Sequence, residues 1–242
     1  MGTIRGRAVL DFLRHRLSLA PTASYDRKDF WDRSYAKTVR PHEWGVKSAD
    51  LMRYAFTDAS PIGFGGGVAS TSRLEDDCPK NGRTLLLGGG TSSLGGDLVK
   101  AGWTDVAAVD FSDVAVARGV ATEPEVAWSL GDARDLEAFP EASLSAVLDK
   151  GTIDAIYMSA GANHEADVAA VAASAAGALQ PKTGVLAVLS LTAPRYLWPL
   201  LFASAPHNWD VATSEVRRLD AIYLYLLRRG RASGGPTKRR RR

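Results

Sequence analysis

The chain has 242 residues, 45% of them apolar, enough to bury the core of one larger domain, and no apolar run approaches the ~20 residues that cross a bilayer. Its one cysteine, Cys78, excludes an internal disulfide, and its four histidines (His15, His42, His164, His207) lack metal-ligand spacing, so no metal site is expected. The net charge of +3 averages unlike parts: residues 228–242 hold eight positive side chains and no acid, whereas residues 21–227 carry 18 basic against 26 acidic ones, which argues against a nucleic-acid face spread over the body and suits a partner that presents lysine or arginine.

Residues 1–24 are Arg-rich, with Ile4, Leu10, Leu13 and Leu17 at helical spacing. A mitochondrial transit peptide has this pattern, and so does an ordinary amphipathic first helix. From Tyr25 the stretch YDRKDFWDRSYAKTVRPHEWGVKSADLMRYAF reads as helical with a break at Pro41. Residues 57–82 read as a loop, and the GFGGG within it (Gly63 to Gly67) as a flexible segment, since no strand precedes it and no helix follows. From Thr84 onward, strands are expected at 84–87, 106–110, 126–130, 144–149 and 185–191, with helices near 92–101, 112–119 and 165–180. Such alternation indicates a parallel sheet covered on both faces. WDVATSEVRR and AIYLYLLRR, close in sequence, are expected to pair as an antiparallel hairpin at a sheet edge. Residues 230–242 read as a basic disordered tail, either plainly solvated or a tether for nucleic acid or a nuclear address. The expected organisation is thus 1–24 as a leader-like segment, 25–229 as the domain and 230–242 as the tail.

The stretch TLLLGGGTSSLGGDLVKAGW, residues 84–103, poses the functional question. An apolar strand runs into three glycines and then a helix. In an open parallel sheet the ligand sits at such a turn, where Gly88 and Gly90 let it approach the main chain. Asp110 ends the next strand, where a carboxylate can accept ribose hydroxyls. A G-x-G-x-x-G count from Gly88 puts Ser93 at the third glycine, which weakens the dinucleotide reading. S-adenosylmethionine, which carries adenosine without phosphate, also fits. GDARDL places Asp132 where an adenine amino group would bind, with Ala133 beside the ring. LDKGTIDAI brings Asp149 and Lys150 to the end of the fourth strand. The plain alternatives are a cap or turn acid for Asp132 and a solvated strand-end lysine for Lys150.

LLGGGTSSLGGDL with AAVDFSDVAVA and then LDKGTIDAI resembles the methyltransferase-like class I protein-lysine methyltransferases that modify elongation factor 1A and citrate synthase. The resemblance runs from about Tyr25 to Arg229, and DKGTIDA is its most specific element. FWDRSY and HEW match the family's aromatic N-terminal portion. It implies a Rossmann-like α/β fold with a mostly parallel seven-stranded sheet, helices on both faces and an antiparallel C-terminal hairpin. It further implies S-adenosyl-L-methionine as cofactor and a protein lysine as acceptor. By position it assigns Trp31, Tyr35 and Trp44 to aromatics closing over the cofactor, Gly88 and Gly90 to the glycine turn, and Asp110 and Phe111 to the ribose. Asp132 and Ala133 fall at the adenine, and Lys150 beside the bound cofactor. Read from the residues alone, the three aromatics are core residues. Asp149 and Asp154 are the candidate catalytic acids, for orienting the lysine amine. The wording of GTSSL and VDFSDVAVA is nearest the citrate synthase-modifying branch, which with the Arg-rich start makes mitochondria the expected location and cytoplasm the alternative.

Three departures stand out. Leu86 occupies the place where many class I methyltransferases carry an acid, Gly89 stands where cysteine is common, and Ser34 replaces the arginine of W-D-x-R-Y. Two rival readings remain open at this point: a small-molecule methyltransferase, and a non-catalytic binding module on the same scaffold.

Overall fold

A computed structural model describes residues 25–37, 41–52, 74–159, 163–203, 209–219 and 222–231. The expectations for residues 1–24, for GFGGG and for the tail beyond residue 231 lie outside them.

The strands are β1 (Thr84–Leu87), β2 (Val106–Asp110), β3 (Ala127–Leu130), β4 (Ala146–Lys150), β5 (Val185–Ser190), β6 (Glu215–Leu219) and β7 (Ile222–Arg228). They form one seven-stranded sheet in the order β3-β2-β1-β4-β5-β7-β6. β1 to β5 are parallel, and β7 runs antiparallel between β5 and β6. TLLL of β1, VAAVD of β2 and VLAVLS of β5 are buried residue by residue. Continuous apolar runs are what a parallel sheet covered on both faces requires. The pleat then divides them. Leu85, Leu87, Ala107, Val109 and Val147 pack under helices His164–Ala178 and Pro194–Ala203, while Leu86, Ala108, Ala146 and Leu148 face Leu94, Leu98 and Trp103. This strand order with its reversed seventh strand is the class I methyltransferase fold that the sequence implied.

The helices in chain order are α1 (Lys28–Lys37), α2 (Ser48–Leu51), α3 (Leu74–Asp77), α4 (Leu94–Lys100), α5 (Asp113–Thr122), α6 (Thr152–Tyr157), α7 (His164–Ala178) and α8 (Pro194–Ala203). α5 starts where the Ser112 hydroxyl accepts the Ala115 amide, satisfying a donor the helix itself cannot pair. The alanine-rich α7 ends at Leu179, before Pro181.

Several expected bounds shift. α3 lies within the segment read as loop. α6, separated from β4 by Gly151 alone, and α8, which carries Pro194 and Pro199, were not among the expected helices. Pro194 sits in the first turn, where its missing N–H costs nothing, and buried Leu197 and Leu201 hold α8 against the core across Pro199. Of WDVATSEVRR only the end is strand, because the Asp210 carboxylate accepts the Ala212 amide at 3.1 Å and turns the chain first.

Candidate functional site

Strand order reverses between β1 and β4, so the crevice beyond their carboxyl ends is the place for a ligand. The glycine turn after β1 lies there. Gly88 and Gly90 adopt φ of +53° and +56°, backbone that L side chains resist. A Cβ on Gly90 would also stand 2.9 Å from the Tyr35 hydroxyl. The Gly90 amide donates to Asp110 Oδ2 at 2.8 Å, and the Ser112 amide to Oδ1 at 2.8 Å. Asp110 therefore ties the turn to the tip of β2 and keeps one lone-pair direction on each oxygen for a further donor. Burial raises its pKa, and the two amides offset part of that.

Beyond β3, Asp132 accepts the Arg134 side chain as a fork, with Nε at 3.0 Å from Oδ1 and Nη2 at 2.6 Å from Oδ2. Burial works to raise its pKa, but the Arg134 hydrogen bonds and charge prevail and hold it below the usual carboxylate range. A sequence reading had left this partner out, although Arg134 stands two positions away in GDARDL. Ala133 is buried beside it.

On the β4 side, Lys150 is no solvated strand-end lysine. Its side chain is 6% exposed and its Nζ donates to Glu43 Oε2 at 2.6 Å. The Ser92 hydroxyl donates to the same oxygen at 2.9 Å, and the His42 amide donates to Thr91 Oγ1 at 2.8 Å. HEW is thereby fastened across the glycine turn. Gly151, at φ +100°, passes under Trp44, whose ring a Cβ there would meet at 2.4 Å. Trp31 stacks on Tyr35 with centroids 5.4 Å apart, and α1 is pinned to the start of α5 by the Ser112 hydroxyl donating to Asp32 Oδ1 at 2.5 Å. Arg33, neighbour of the substituted Ser34, pairs with Asp29 at 3.0 Å, at the surface.

These segments enclose one cleft. Trp31, Tyr35, Trp44, Gly88, Gly90, Asp110, Phe111, Asp132, Ala133 and Lys150 all line it, and its empty space, mouth included, is about 1010 Å³. Leu86 lines it too while packing in the core, so no acid stands at that position.

Asp149 and Asp154, the candidate catalytic acids, do not belong to this lining. Asp149 is fully buried: Oδ1 accepts the Thr152 and Ile153 amides at 3.1 and 3.2 Å and so caps α6, and Oδ2 has no hydrogen-bond partner among the described residues. Burial, reinforced by the nearby Asp154 charge, raises its pKa to about 7. Asp154 accepts the Ser190 and Thr192 hydroxyls, the Leu191 amide and the Trp44 indole N–H. Burial raises its pKa as well. Both acids brace the walls from within the protein.

Among the lining residues that escaped the sequence reading are Tyr25, Asp26 and Trp128. The Trp128 ring closes the floor, with a Cβ at Gly89 or Gly119 falling 2.6 or 2.1 Å from it. The signal was present as a glycine inside α5 facing a tryptophan in β3. Among the described residues no group of His, Cys, Asp and Glu could hold a metal ion, and no helix is long and apolar enough to cross a membrane.

No protein-family profile matches the chain. It is 33% identical over 138 residues to the mouse protein named EEF1A lysine methyltransferase 4, covering 54% of this chain and 46% of that one. The bovine protein of the same name is 32% identical over 137 residues, covering 54% and 46%. The human eEF1A lysine and N-terminal methyltransferase is 33% identical over 78 residues, 31% of this chain and 11% of that one. The chain is thus similar to eEF1A lysine methyltransferases while spanning less than half their length. A solved TehB-like SAM-dependent methyltransferase from Corynebacterium glutamicum matches 64% of this chain and 84% of its own with TM-score 0.48 and 15% identity.

Proposed function

We propose that this chain is an S-adenosylmethionine-dependent methyltransferase that modifies a lysine side chain of a protein, with elongation factor 1A, the protein in the names of its relatives, as the first substrate to test. The observation that carries the reading is the convergence of the glycine turn, Asp110, Ala133 and the aromatics of residues 31–44 on one cleft at the point where strand order reverses. The cradle fits the cofactor: its glycines leave room at the main chain, Asp110 keeps acceptor positions free for ribose hydroxyls, and Ala133 leaves a flat apolar wall for a purine ring.

A bound cofactor would supply a methyl group already activated by its sulfonium for transfer to a neutral amine. The chain's task is then alignment and exclusion of water. Trp31, Tyr35 and Trp44 roof the cleft, while Lys150 and Ser92 hold Glu43 and with it the segment carrying Trp44. The Tyr35 hydroxyl, its pKa pushed far up by burial and then by the Asp110 charge, stays a neutral donor. Asp149 and Asp154 stabilise the start of α6 and the anchor of Trp44, a positioning role.

Incubation of the purified chain with tritiated S-adenosylmethionine and recombinant elongation factor 1A tests the reading. Label on a lysine of that protein is expected. Label on other protein bands of a cell extract moves the substrate elsewhere, and label on small molecules alone overturns the protein-lysine reading.

A further inference from the structure

Three carboxylates line the cleft: Asp110, Asp132 and Asp26. The first two stand at the tips of β2 and β3, on the nucleoside side of the reading above, and Asp132 is already neutralised by Arg134. Asp26 stands beside the end of α6. It is held to Ser159, just beyond α6, by a reciprocal pair in which the Asp26 amide donates to Ser159 Oγ at 3.2 Å and the Ser159 hydroxyl donates to Asp26 Oδ1. No basic side chain pairs with Asp26 among the described contacts, although it is half-buried. A carboxylate offers about four lone-pair sites, and Ser159 uses one.

Three aromatic rings line the same cleft as Asp26 and pack against one another. The Tyr25 centroid lies 5.9 Å from Trp31 and 5.8 Å from Trp44, and the two indoles are 6.3 Å apart. Both indole N–H groups are engaged elsewhere, Trp31 Nε1 donating to Tyr25 O at 2.8 Å and Trp44 Nε1 to Asp154 Oδ2 at 3.2 Å. The rings are therefore fixed in orientation and meet the cleft through their carbon surfaces. Converging aromatic surfaces beside a carboxylate attract ammonium groups, and they keep doing so as methyl groups replace the ammonium's hydrogen-bond donors.

We propose that Tyr25, Asp26, Trp31 and Trp44 form the acceptor-amine subsite: Asp26 pairs with the incoming ammonium and takes its proton, freeing the nitrogen lone pair that accepts the methyl group, while the rings hold the side chain's terminal carbons. The subsite rests on the methyltransferase reading and adds the acceptor's place to it. It replaces Asp149 and Asp154 in the amine-orienting role with a carboxylate that faces the cleft.

Two cofactor analogues separate this proposal from the reading beneath it. S-adenosylhomocysteine lacks the transferable methyl, and sinefungin carries an amine in its place. Calorimetric titration of both into the full chain and into Asp26→Asn, which keeps an oxygen acceptor for Ser159, gives four affinities. The subsite predicts that Asp26→Asn weakens sinefungin about tenfold and leaves S-adenosylhomocysteine within about twofold. An equal effect on both analogues, or none on either, overturns the subsite while leaving cofactor binding intact. Absence of binding by either analogue to the unmodified chain overturns the methyltransferase reading itself and the subsite with it.

Discussion

Replacing Gly90 by alanine loads the cradle in two separable ways. At φ +56° a Cβ costs about 1–2 kcal/mol of backbone strain. The same Cβ would stand 2.9 Å from the Tyr35 hydroxyl and 3.4 Å from Tyr35 Cζ, so the clash is with the phenol's last atom. Strain alone lowers the midpoint of thermal unfolding by about 2–8 °C in a chain of this size. The clash displaces Tyr35 from the roof, so cofactor affinity falls by more than the stability loss explains. Tyr35→Phe removes the offending oxygen and leaves the 3.4 Å contact, which is ordinary packing. The double variant Gly90→Ala/Tyr35→Phe therefore regains part of the cofactor affinity lost in Gly90→Ala, while its unfolding midpoint stays low. Differential scanning fluorimetry and calorimetric titration with S-adenosylhomocysteine read the two quantities. Additive effects of the two substitutions on affinity would refute the placement of Tyr35 over the turn.

Asp110→Ala removes the acceptor facing the ribose and is expected to cost about 1–3 kcal/mol of cofactor binding, read by the same titration. An unchanged affinity would mean that the sugar lies elsewhere. Asp149, with its pKa raised to about 7 in the fold against the ordinary carboxylate range, binds its proton more tightly folded than unfolded. Its contribution is full below the unfolded value and is lost as pH rises through about 7. Denaturant titrations from pH 4 to 8 should show Asp149→Asn relieving a stability slope of up to about 1.4 kcal/mol per pH unit, and an unaltered slope would exclude a titrating Asp149. Cys78 is buried, and its thiol pKa is pushed far up by that burial and by Asp77. A thiol reagent should leave the native chain unmodified and label it only on unfolding, whereas rapid native labelling would show that this region opens.

What could be read from the sequence was whatever repeats along it at short range. The TLLL strand, the three glycines and Asp110 twenty positions on each announce themselves by local pattern, and the end of that strand, the glycines and Asp110 all line the cleft. Contacts that join distant segments gave no such sign: Asp26 meets Ser159 across 133 positions and Lys150 meets Glu43 across 107. Asp149 shows a different limit. It adjoins Lys150 in DKGTIDA, but successive residues of a strand point to opposite faces, so the two do not share a wall of the cleft. Trp128 was hidden for a related reason, since only packing reveals which glycines a ring covers. α8 forms in spite of its two prolines because burial of Leu197 and Leu201 outweighs a local preference against helix.

The account stands on adenosine recognition at the turn after β1, and calorimetric titration of the purified chain with S-adenosylhomocysteine tests it most directly. Saturable binding of one ligand per chain, weakened in Asp110→Ala, is the predicted result. No heat of binding and no thermal shift at high micromolar ligand would contradict it.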